Sequence, residues 1–186
     1  MTDVFPPSRK SIHAALERVH TESVAYWTMF GTPTFSARIG TAWSPADNVR
    51  HLTKSMCAVT RGLQVPRLAV RLLFGTPSQA SRSYEQIGVD YRQVLSNGGQ
   101  AGRFAPSPQG DPVDAEAERA RIMTVHATAV DDLRLASMRW REQDLDRYQL
   151  PHPLLGKLTV REMLLFTVYH NRHHVDVVRQ RMSSAT

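Results

Sequence analysis

The sequence predicts an all-α protein, a four-helix bundle with a long crossover between its second and third helices. Apolar residues recur at spacings of three and four along four long segments, and helix-capping residues stand near the start of each segment. No segment alternates like a strand. The chain has 186 residues, so residues 1–186 are expected to form a single domain with one core.

The first helix is expected to begin near Ser8 and to run to about Met29. Residues at helical spacing form its buried stripe: Ile12, Leu16, Val19, Ser23 and Tyr26. His13 and His20, seven residues apart on this helix, are interpreted as surface residues. Glycine and proline then interrupt the pattern, so residues 30–42 are expected to form a loop.

The second helix has a well-defined predicted start. Ser44 can cap it, Pro45 suits its first position, and Asp47 lies in its first turn. The helix is expected to continue to about Gly62 with a stripe of large apolar residues. A second stripe places small residues beside His51, and these would let a neighbouring helix come close: Ser55, Ala58 and Gly62. His51 is therefore expected to face the interior or its margin.

Residues 64–111 carry loop signals, with short helices allowed at 67–74 and 83–95, and are interpreted as a crossover that covers one end of the bundle. The third helix is expected to start with Asp111 as its cap, followed by a proline, and to end near Glu142. The fourth is expected to start at Thr159, with Glu162 completing a capping box, and to end near Met182.

The last predicted helix carries the segment with the clearest chemistry. His170 and His174 stand one turn apart on one face, a spacing that lets two imidazoles bind one metal ion. His173 points in a different direction from His174 on the helical wheel and is the weaker candidate. His51 is the best third ligand in the chain. The alternative is that these are buried histidines hydrogen-bonded to backbone or hydroxyl groups.

Other candidates receive mainly structural interpretations. His126 lies on the apolar stripe of the third helix, either as a buried hydrogen-bonded histidine or as a fourth ligand or proton shuttle. Cys57, the single cysteine, points away from His51 and is interpreted as a small structural residue. His152 lies between two prolines, where a role in a turn is expected. Glu162 is interpreted as a cap and not as a catalytic base.

The composition excludes several classes of protein. The net charge is +6, but there is no compact basic run with interleaved aromatic residues, so no nucleic-acid partner is expected. The chain contains no apolar stretch of about 18 residues, and no membrane span is expected. The N-terminus lacks the apolar run of a secretory signal, and one cysteine allows no internal disulfide. A cytoplasmic location is expected.

Three segments together resemble the DinB-like family: residues 43–52 (WSPADNVRHL), residues 148–164 (YQLPHPLLGKLTVREML) and residues 169–174 (YHNRHH). The resemblance implies a four-helix bundle, commonly a homodimer. It also implies one divalent metal ion, zinc or nickel in many members, bound by His51, His170 and His174. The chain departs from the family at Val177, where many members have glutamine.

The resemblance also implies a class of reaction. Relatives include transferases that join a low-molecular-weight thiol to an electrophile, and an isomerase that uses such a thiol. We therefore expect a metal-dependent thiol S-transferase that takes a small-molecule ligand. A metal-dependent hydrolase, a non-catalytic metal-stabilised module that binds a ligand or a partner, and a DNA-associated stress protein are the alternatives.

Overall fold

The computed structural model describes residues 8–107 and 112–184. These residues form seven α-helices and one short hairpin: α1 (Arg9–Thr28), α2 (Thr32–Ser36), α3 (Pro45–Gln64), α4 (Arg67–Phe74), α5 (Tyr84–Ser96), α6 (Ala115–Met138), α7 (Val160–Ser184), β1 (Gln149–His152) and β2 (Gly156–Thr159). The four long helices α1, α3, α6 and α7 form the bundle, in which α3 packs mainly on α6 and α1 on α7. The predicted all-α bundle with a long crossover is confirmed.

Local capping chemistry explains where the long helices begin. The side chain of Ser8 caps α1. In α3 the Ser44 hydroxyl accepts from the Asp47 amide at 3.0 Å, while the Asp47 carboxylate accepts from the Ser44 amide at 3.2 Å. Thr159 and Glu162 make the same reciprocal pair at the start of α7, at 3.1 and 2.8 Å. Each pair satisfies two backbone donors that a helix end leaves free.

The boundaries of the third long helix differ from the prediction. Asp111, its predicted cap, lies outside the described residues. The N-cap is Asp114, whose carboxylate accepts from the amides of Glu116 and Ala117 at 3.0 and 2.9 Å. The helix ends at Met138 instead of continuing to Glu142. Two residues later the buried Trp140 donates its indole N–H to the Leu63 carbonyl, at 3.0 Å. This hydrogen bond ties the chain to the end of α3, so the chain leaves the axis of α6.

The crossover contains the two short helices that the sequence allowed. α4 packs on β1 and α5 packs on α7, so the crossover lies along the bundle and not only over its end. A 3-10 turn at Gly102–Phe104 follows and contacts α3. The loop predicted at residues 30–42 also contains a short helix, α2, which starts with Pro33 in its first turn and buries Phe35.

The hairpin β1–β2 was not predicted. Its strands pair antiparallel over four residues each, with Leu150 opposite Leu158 and Pro151 opposite Lys157. Prolines on either side of His152 conceal the strand pattern, because proline is normally a signal against a strand. The tight turn requires Gly156, whose φ is 75°. The hairpin places Leu150 and His152 beside α3 and α7.

The prediction that His20 lies on the surface of α1 is wrong. Its side chain is only 6 % exposed, whereas the sequence interpretation placed it on the surface. His13 is half-buried and Trp27 is fully buried. These three residues follow a spacing of seven and therefore share one helix face. Because α1 contacts both α7 and α6, its buried surface is wider than one stripe.

None of the described helices is both long enough and apolar enough to cross a membrane.

Candidate metal centre

The structure brings three buried histidines together between α3 and α7. The Nε2 atom of His170 lies 3.1 Å from Nε2 of His51 and 3.1 Å from Nε2 of His174. All three side chains are at most 8 % exposed. The three candidate ligand atoms lie within 4.8 Å of one another. The cluster therefore joins a helix before the crossover to the last helix of the chain.

Hydrogen bonds at the opposite ring edges determine how two of the rings face the centre. Nδ1 of His51 lies 2.9 Å from the Phe104 carbonyl oxygen, and Nδ1 of His174 lies 2.7 Å from Oδ1 of Asn48. The Asn48 amide nitrogen donates to the Ser44 carbonyl at 2.8 Å, which fixes the orientation of the amide. Both partners of the rings are acceptors, so each Nδ1 carries the proton and each Nε2 presents a lone pair to the centre.

The electrostatics keep all three rings neutral. Burial lowers the pKa of His51, and it lowers the pKa values of His170 and His174 well below the usual histidine range. The neighbouring rings lower the pKa values of His170 and His174 further, because each would repel a second positive charge. Neutral imidazole is the form that binds a metal ion.

The geometry fits a cation at the centre. A neutral His170 can donate an Nε2 proton to only one of its two neighbours, so at least one of the two 3.1 Å contacts has no proton to bridge it. Nitrogen ligands about 2.0–2.1 Å from a zinc-like ion in tetrahedral geometry lie about 3.3 Å apart, close to the 3.1 Å seen here. The three histidines could therefore hold a metal ion.

A cavity of about 380 Å³ lies beside the cluster, with His51 and His170 in its wall. Its walls are mainly apolar and come from α3, α4, α7 and the hairpin: Met56, Val59, Phe74, Leu150, Leu154 and Phe166. The small residues of α3 were predicted to let a neighbouring helix come close. In the structure they line this cavity instead. Leu150 of the hairpin comes close to Gly62, where a Cβ would lie 3.1 Å from the leucine side chain.

A family model described as the DinB superfamily matches residues 8–178, a range that holds all three clustered histidines. The chain belongs to the DinB superfamily. The resemblance found in the three sequence segments is thus confirmed. No curated protein and no solved structure matches the chain.

Other histidines of this DinB-superfamily chain lie outside the cluster. His173 contacts the rings of Tyr91 and Tyr169 on the side towards α5. His126 is fully buried and its Nδ1 lies 2.9 Å from the Thr53 hydroxyl, as expected for a structural histidine. His152 has the turn role that was predicted for it, because its Nδ1 accepts from the amides of Leu154 and Leu155 at 3.3 and 3.1 Å.

Sequence reasoning missed four contributions to the site of this family member. Asn48 orients His174, and the backbone of Phe104 orients His51. Trp43 stacks on His174 with ring centroids 6.2 Å apart and planes 7° apart. His152 lines the cavity, and burial lowers its pKa to about 4. The sequence could have indicated Asn48 as part of the site, because it lies one turn before His51 on the same capped helix.

We expect Asn48→Ala to weaken metal binding about 10–100-fold, the usual cost of removing a group that orients a histidine ligand. Asn48→Asp retains an acceptor oxygen for Nδ1–H and is expected to restore most of the affinity. Calorimetric titration with zinc measures both variants against the wild type. Equal affinities for Asn48→Ala and the wild type would show that His174 needs no such partner.

Proposed function

We propose that this protein binds one divalent metal ion, zinc or nickel, through Nε2 of His51, His170 and His174. The observation that carries the proposal is the convergence of three buried Nε2 atoms whose spacing matches a metal site. Hydrogen bonds at Nδ1 hold two of the rings in the ligating tautomer. Three protein ligands leave at least one coordination position open, which is typical of catalytic zinc sites.

We further propose that the metal centre serves a thiol S-transferase that acts on small electrophiles. A metal ion of this kind lowers the pKa of a bound thiol and stabilises the thiolate at neutral pH. The thiol must come from a small molecule, because Cys57 is the single cysteine and does not line the cavity. In the reaction, the sulfur forms a bond to the electrophilic carbon, the leaving group departs with its electron pair, and the thiol proton goes to water.

The residues around the cavity favour thiol transfer over hydrolysis. Activation of water normally needs a general base within hydrogen-bonding reach. Among the described residues that line the cavity, none is an aspartate or a glutamate, and Nδ1 of His152 already accepts from two backbone amides. A thiol needs no such base, since its pKa is already near 8.5 without a metal. The apolar walls suit the carbon skeleton of an electrophile.

We also propose that the protein is a homodimer, as the resemblance to the family implies.

Metal content and turnover test this function together. We expect purified protein loaded with zinc or nickel to hold one ion per chain, and to conjugate chlorodinitrobenzene with added low-molecular-weight thiols. His51→Ala and His170→Ala should abolish both properties, whereas His173→Ala should retain both. A loaded protein that shows no thiol-dependent turnover with any thiol tested would instead support a non-catalytic metal-stabilised module.

A further inference from the structure

Two arginines at the cavity have no carboxylate partner among the residues that the structure describes. Arg61 comes from α3 and Arg103 from the 3-10 turn, and both are exposed residues that line the cavity. Neither forms an ion pair with a described residue, whereas Arg82 and Arg161 each bind two carboxylates. The guanidinium of Arg103 lies over the ring of Phe104, 5.2 Å from its centroid.

The surroundings of these arginines are also basic. Lys54 lines an adjoining pocket together with Arg61 and Arg103. Its ammonium group donates to the Ala105 carbonyl at 2.7 Å and to the Ser107 hydroxyl at 3.1 Å, both of which are neutral. No described residue of either pocket wall carries a negative charge. The mouth of the cavity therefore has a positive potential that the described residues leave uncompensated.

Two polar groups that are less exposed than these arginines also line the cavity. His152 uses Nδ1 as an acceptor for two amides, so the proton of its neutral ring is on Nε2, which is left as a donor. Asn171 is 1 % exposed, and its amide nitrogen donates to the Thr167 carbonyl at 2.9 Å. Its Oδ1 is buried and has no partner among the described residues. A buried acceptor without a donor costs free energy, which a bound hydroxyl or amine group would recover.

We propose that the cavity takes an organic anion with an apolar body, whose acidic group binds Arg61 and Arg103 at the mouth. A hydroxyl-like group at the inner end accepts from His152 Nε2–H and donates to Asn171 Oδ1. The volume of about 380 Å³ suits a ligand with two fused rings or a short chain. The inference rests on the proposed function only in taking this ligand to be the substrate that reaches the metal centre.

Three related probes separate the parts of this proposal: a naphthol, a naphthoate, and a naphthoate with a hydroxyl on the distal ring. Calorimetry on protein stripped of metal by a chelating resin measures their affinities, so that a carboxylate cannot bind an ion instead. We expect the naphthoate to bind about tenfold more tightly than the naphthol, because a charge-assisted pair with arginine is among the stronger polar contacts. The distal hydroxyl should add about threefold.

Matched variants test the named residues. Arg61→Gln combined with Arg103→Gln should remove the advantage of the carboxylate. Arg134→Gln combined with Arg179→Gln changes the net charge equally on surfaces outside the cavity and should retain it. His152→Asn should remove the gain from the hydroxyl, while the new side-chain oxygen continues to accept from the amides of the turn.

Equal binding of the naphthoate and the naphthol would overturn the proposal, as would an unchanged preference in the Arg61 and Arg103 variant. A hydroxyl gain that survives in His152→Asn would overturn the assignment of the inner group. These results do not depend on metal, so they are distinguishable from failure of the proposed function. Protein that prefers the carboxylate but never binds zinc or nickel would contradict the proposed function alone.

Discussion

Zinc or nickel is expected to raise the melting temperature of this protein by roughly 5–10 °C when the free metal is about a hundredfold above its dissociation constant. Binding to the folded state alone contributes about 2.7 kcal/mol at that concentration. In a domain of this size each kcal/mol raises the melting temperature by about 2–4 °C. The unfolded chain should bind the ion only weakly, because the three ligands come from α3 and α7, which are far apart in the chain.

Two neighbouring histidines distinguish this effect from general metal binding. His174→Ala removes one of the three clustered rings and should abolish most of the shift. His173→Ala is the matched control, since His173 packs against Tyr91 and Tyr169 outside the cluster, and its shift should be close to that of the wild type. Thermal unfolding with and without added metal measures all three proteins. Equal shifts in all of them would place the ion elsewhere.

Acid is expected to destabilise the metal-free protein through buried histidines away from the centre, above all His126. Its pKa is lowered to about 4, mainly by burial and in addition by the neighbouring His20, because two charges would repel. In the unfolded chain the pKa is near 6.5, so the unfolded state takes up the proton first as the pH falls. The stability is therefore complete above pH 6.5 and is lost as the pH falls towards 4. Between pH 7 and 4.5 this one residue accounts for about 2 kcal/mol.

Denaturant unfolding across this pH range tests the assignment. In His126→Met, the loss of unfolding free energy between pH 7 and 4.5 should be about 2 kcal/mol smaller than in the wild type. Thr53→Val removes the hydroxyl partner of His126 but leaves the titrating ring, so the protein should be less stable at every pH with a pH dependence close to that of the wild type. If the unfolding free energy of His126→Met depended on pH as strongly as that of the wild type, other groups would have to cause the acid sensitivity.

The parts of the fold that the sequence predicted well are those set by local chemistry. The caps at Ser8, Ser44 and Thr159 act on backbone donors within three residues, so a single sequence is enough to locate them. The burial of His20 and the hairpin depend on distant contacts. His20 is buried by helices that follow much later in the chain, and the strand at Pro151 is stabilised by its pairing partner and by packing on α4.

The same distinction applies to the candidate site. The pair His170 and His174 follows from helical spacing. His51 was the best third candidate because it lies on the inner margin of a capped helix, and the resemblance to the family implied the same residue. The structure brings all three together, and metal binding by them stays a prediction. The partner of His51 could not be found in the sequence, because any residue can supply a backbone carbonyl such as that of Phe104.

The hydrogen bond from His51 to Phe104 connects the crossover to one of the three candidate metal ligands. The ring that would ligate the ion is oriented by the same 3-10 turn whose Arg103 borders the cavity. A ligand that shifts this turn would therefore change the affinity for the proposed metal ion, and by thermodynamic reciprocity the ion would change the affinity for that ligand by the same factor. The occupancy of the ion site would then depend on whether a ligand fills the cavity.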